Sequence, residues 1–110
     1  MQFNETTNTI TTYRYDYGIP ITFDAGVEQG FSVGDQIVIV FDDDRIEDRD
    51  DITVNVEDFS FELKLTEKEA QAVIDRRVIP YSIKRMRDGK FLETLLNGNI
   101  EFRSTLKWQN

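Results

Sequence analysis

The chain has 110 residues, with 21 acidic against 13 basic side chains and a formal net charge of -8; that length makes one domain, able to bury roughly two thirds of its unfolded surface. It has no cysteine and no histidine, which excludes a disulfide framework and a thiolate nucleophile and removes the commonest general base and metal ligand. The acidic balance argues against nucleic acid and against an anionic membrane surface as partners.

Met1 to Thr9 is polar and reads as a flexible or partner-ordered leader. Met1 to Thr12 lacks the basic and apolar regions of a signal peptide. Tyr13, Tyr15 and Tyr17 then share one face of an extended segment. Ile19, Ile21 and Phe23 form a second alternating run with Pro20 at its start, and proline places such a strand at an edge. Gly26, Gly30 and Gly34 punctuate a loop or a chain of turns. Gly34-Asp35 leads into Gln36 to Phe41, whose five consecutive apolar residues predict a central strand covered on both faces.

Asp42 to Asp51 is charged almost throughout. A calcium loop needs alternating oxygen donors, then glycine, then a distant glutamate. Ile46 and Ile52 break that alternation, so the stretch reads as a solvated hairpin loop in which Arg45 and Arg49 offset repulsion. A weak cation site shared with a partner is the competing reading.

Ile52, Val54 and Val56 alternate with polar residues, giving a further strand. Phe59, Phe61, Leu63 and Leu65 do the same. Thr66 and Glu69 are spaced as a capping box, and Ala70, Val73 and Ile74 share one helical face, which predicts a short helix near residues 67–75. That helix closes one end and crosses between sheets. After Pro80 the strand pattern returns, with Tyr81 and Ile83 on one face. Asp88-Gly89 and Asn97-Gly98 both carry the signature of a two-residue hairpin turn, so an antiparallel meander of three strands is expected up to Lys107. Together these elements predict a mainly β fold, an antiparallel β-sandwich of immunoglobulin-like or jelly-roll-like kind, with about eight strands.

No cofactor motif is present: there is no nucleophile elbow, phosphate-binding loop or dinucleotide fingerprint. Carboxylate pairs suited to glycoside hydrolysis arise by chance among 21 acids. The tyrosine stripe admits stacking on sugars, but the packing of a core or subunit interface is the preferred reading. Trp108 reads as an edge plug or interface anchor. Lys84, Arg85 and Arg87 are too few for a nucleic-acid groove and are expected to answer the acidic face of a neighbouring subunit.

Several stretches resemble the N-terminal domain of phage baseplate upper proteins and related phage tail proteins. They are Gly34-Asp35 to Phe41, Phe61 to Ala70, Tyr81 to Ile83, Asp88 to Lys90 and Leu95 to Phe102. The resemblance implies a small β-sandwich that anchors a receptor-binding or fibre assembly to the virion, with no catalytic residues. The expected protein is therefore a structural virion component, made in the bacterial cytoplasm and docking on other virion proteins. A homo-oligomer, trimer or ring, is expected, with Tyr13, Tyr15, Tyr17, Arg85, Arg87 and Trp108 at partner interfaces. A carbohydrate-binding module is the alternative.

Overall fold

A computed structural model of the chain describes residues 1–13, 18, 20–24 and 31–103. The described residues form eight strands and one helix: β1 (Gln2–Asn4), β2 (Thr9–Thr12), β3 (Ile21–Asp24), β4 (Gln36–Phe41), β5 (Arg49–Thr53), β6 (Ser60–Leu63), α1 (Glu67–Arg76), β7 (Val78–Arg87) and β8 (Lys90–Phe102). The fold is mainly β and sandwich-like. One layer is a six-stranded sheet in the order β1-β2-β8-β7-β4-β5. The β3–β6 pair and α1 face it.

Alternation decides which side of the large sheet is covered. In β4, Ile37, Ile39 and Phe41 are buried, while Val38 and Val40 are only half-buried. β4 is therefore flanked by β7 and β5 as expected, but apolar on one face more completely than the other. In β7, Ile79, Tyr81, Ile83 and Arg85 point inward. Leu63 on β6, Leu65 beyond it and Val73 on α1 close the core from the other layer, each with almost no exposure. Phe3, Phe23 and Phe61 link the layers: Phe23 stacks on Phe61 at 5.1 Å between centroids and meets Phe3 edge-on at 4.9 Å.

The helix begins where the capping box puts it. The Thr66 hydroxyl accepts from the Glu69 backbone N–H at 3.1 Å, and the Glu69 carboxylate accepts from the Thr66 N–H at 2.8 Å. Glu69 is itself buried and holds Arg49 at 2.9 Å, so the cap also ties α1 to β5. Replacing Thr66 with alanine is expected to lower stability by about 1 kcal/mol, read as a shift in the urea midpoint. As expected, α1 carries the chain from the small sheet to the large one.

Four features depart from the sequence expectations. Part of the leader is a strand: Gln2–Asn4 pairs with Thr9–Thr12. One pairing is parallel, between β2 and Ile100–Phe102 of β8, because the chain enters the sheet beside its last strand running the same way. The strand expected over Ile52–Val56 starts earlier, at Arg49, inside the acidic run. Asn97-Gly98 makes no turn. It lies within the continuous strand β8, where Gly98 pairs with Tyr81. Its lack of a side chain serves close approach: a Cβ on Gly98 would stand 2.0 Å from the Asn8 carbonyl oxygen.

Pro80 shows how a proline is tolerated inside the sheet. The register of β4 with β7 sets Asp42 opposite Pro80, and the Asp42 N–H donates to the Pro80 carbonyl at 2.9 Å. Pro80 has no N–H to return the bond. Arg76, at the end of α1, donates to the Asp42 carbonyl instead.

Candidate functional site

The β7–β8 hairpin turns at Asp88-Gly89, with φ of +54° and +75°, as its signature predicts. Two irregularities follow. Register shifts between Ile83 and Lys84 and between Arg85 and Met86 leave Leu95 and Leu92 as extra residues on β8. Beyond the turn, Phe91 is 57% and Leu92 43% exposed. Val33, at the same end of the sheet, is 88% exposed. Lys84 lies over the Phe91 ring at 5.7 Å, and Lys90 is exposed beside it. The tip is thus apolar and carries cations.

Its base is held by a buried carboxylate. The Asp35 side chain is fully buried and accepts two bonds from the Arg87 guanidinium, at 2.7 and 2.8 Å. The Ser32 N–H donates to the same carboxylate at 2.9 Å, and Arg85 stands 4.0 Å away. The Arg87 hydrogen bonds hold the Asp35 carboxyl below the usual carboxylate range, against the opposing effect of burial. Arg85 crosses to Glu93 on β8 at 2.8 Å and covers the Phe31 ring at 4.8 Å. Among the expected interface residues, the fold brings Arg85 and Arg87 together, but around Asp35 of their own chain. Arg85 is 5% exposed.

Next to the tip lies a groove of about 690 Å³. Phe3, Phe23 and Phe61 line it, with Leu95 and Leu96 of β8 as one wall and Glu5, Asp24 and Glu93 among its acids. A wider hollow of about 850 Å³ runs between β5 and β6. Arg49, which lines it, is committed to Glu69 and to the Lys64 carbonyl.

The acidic loop joins β4 to β5, as a hairpin loop should. Arg45 answers the loop's own charge, bonding Asp43 at 2.8 to 3.1 Å, and reaches Asp75 of α1 at 3.0 Å. These bonds hold the Asp43 carboxyl well below the usual range. Arg49 leaves the loop for Glu69. Among the described residues, no group of three acids is gathered as a metal would require.

Tyr13 follows β2 and is half-buried. Tyr15, Tyr17 and Trp108 lie outside the described residues. Sequence reasoning passed over Asp35, Phe91 and Leu92. The signal was there: Phe91-Leu92-Glu93-Thr94-Leu95-Leu96 has no period of two, and a strand with paired apolar residues must bulge to keep its faces.

No protein-family model, no curated protein and no solved structure matches this chain.

Proposed function

We propose that this chain is a structural component of a phage or prophage virion, in the tail, baseplate or head surface, and works by docking without turnover. One observation carries the docking part. Phe91, Leu92 and Val33 are exposed at one end of the sheet, on a base held by the ion pair of buried Asp35 with Arg87. Exposed apolar groups gathered on a rigid support mark interaction sites. The motif resemblance from Gly34 to Phe102 supports the virion as the setting, and the sandwich-like fold agrees with it.

The test is mass spectrometry of gradient-purified phage particles from a strain carrying the gene. The chain is expected in a fixed ratio to the tail proteins. Particles that form, infect and contain none of it overturn the reading.

A further inference from the structure

We infer that the outer face of the six-stranded sheet packs against the same face of a second copy. The inference rests on the docking reading and names its partner. β4 is apolar at five consecutive positions, Ile37 to Phe41, the pattern of a strand covered on both faces. Within one copy only Ile37, Ile39 and Phe41 are fully covered. The register sets Val38 and Val40 outward, level with Lys84 and Ser82 of β7. Met86 and Phe91 pair on the same outward side, and Lys84 turns its amine over the Phe91 ring.

Charge decides what covers this face. The chain is 31% charged residues, yet across β1, β2, β8, β7 and β4 the outward positions carry charge only at Lys84 and Glu101. Glu101 is met at 3.9 Å by Arg103, just beyond β8. The other outward positions are apolar, or neutral threonine, serine, asparagine and glutamine. Depletion of charge around methionine and phenylalanine marks the centre of an interface. The exposed acids lie elsewhere, on the β4–β5 loop, at Glu57, Asp58 and Glu62, and along α1. A partner of opposite charge would gain from those acids. A second copy, with the same net charge of -8, is repelled by them and approaches closely only through a face without them. Physiological salt screens the remaining repulsion beyond about 8 Å. The five strands give the face roughly 600 Å² measured flat. Side-chain relief carries its accessible area toward the roughly 800 Å² per partner that a stable interface buries. Two such faces pack as aligned sheets about 10 Å apart, in an isologous contact that closes as a pair. The homo-oligomer is then a dimer in place of the expected trimer or ring.

Light scattering on the full chain across a concentration series, at physiological salt, tests it. The mass should rise from the 12.9 kDa of one chain toward twice that value. Thr94→Glu with Asn99→Glu puts two acids at exposed positions of the face, and circular dichroism confirms that the variant folds. It should weaken association by about 30-fold or more, because like charges are then brought together. Lys68→Glu, at an exposed position of α1, changes the net charge by the same amount away from the face and should associate like the wild type. A wild-type mass that stays at 12.9 kDa throughout, a face variant that associates like the wild type, or equal weakening by both variants overturns the inference. A monomer still found in particles would sink the pairing alone, whereas a dimer absent from particles would sink the virion reading alone.

Discussion

Asp35→Ala is expected to destabilise the fold by about 2–3 kcal/mol, because it removes a fully buried acceptor of charge-assisted hydrogen bonds and leaves the Ser32 N–H unanswered, while the partly exposed Arg87 turns to water. The carboxylate has no exposure and accepts from Arg87 and from the Ser32 N–H. Without it, Arg85 keeps Glu93, but its buried flank beside residue 35 loses the neighbouring negative charge. The loop from Phe31 to Gly34 loses its anchor to β7 at the same time. Equilibrium urea unfolding measures the effect, and a shift of under 1 kcal/mol would refute this account.

The same pair sets an acid dependence. The folded carboxyl titrates below its unfolded value of about 3.9. Its contribution is therefore complete above that value and is lost as pH falls through the lowered folded one. Asp43 acts in the same direction, through Arg45 first. Urea midpoints for wild type should fall steeply in that acid range. Asp35→Asn should start lower at neutral pH and fall less steeply. Parallel curves for the two proteins would mean that Asp35 is not the titrating group.

Gly98→Ala is expected to cost about 3 kcal/mol, at the upper end of what overpacking costs, because its neighbour is backbone and cannot rotate away. The added Cβ would lie 2.0 Å from the Asn8 oxygen and 2.9 Å from its carbon. That oxygen also accepts the Tyr81 hydroxyl at 2.7 Å, a bond the displaced turn would give up. Burial pushes the Tyr81 hydroxyl up to about 12, so at neutral pH it is a donor. Denaturant unfolding reads the loss, and hydrogen exchange should show protection falling first in β1 and β2. An unchanged midpoint would show that the β1–β2 hairpin does not depend on Gly98.

The two hairpin signatures show where local reading succeeds and where it stops. Asp88-Gly89 and Asn97-Gly98 are equivalent by composition, yet one turns and the other runs straight through β8. At the first, left-handed backbone is required locally, and the dipeptide supplies it. At the second, glycine is needed because Asn8, some 90 residues earlier, lies against it. No window along the chain contains that neighbour. Proline behaves likewise: Pro80 sits between two strands because Arg76 satisfies the carbonyl it leaves unpaired.

Period-two alternation, the Thr66 capping box and the Asp88-Gly89 turn are interactions among residues close in sequence, and they determined the mainly β fold, the helix and the long hairpin. The strand order, the parallel pairing of β2 with β8, the partners of Arg85 and Arg87, and the tip beside the groove were decided only by the tertiary structure. Charge pairing and close backbone approach act between residues distant along the chain, and folding alone sets which of several available acids or carbonyls each one meets.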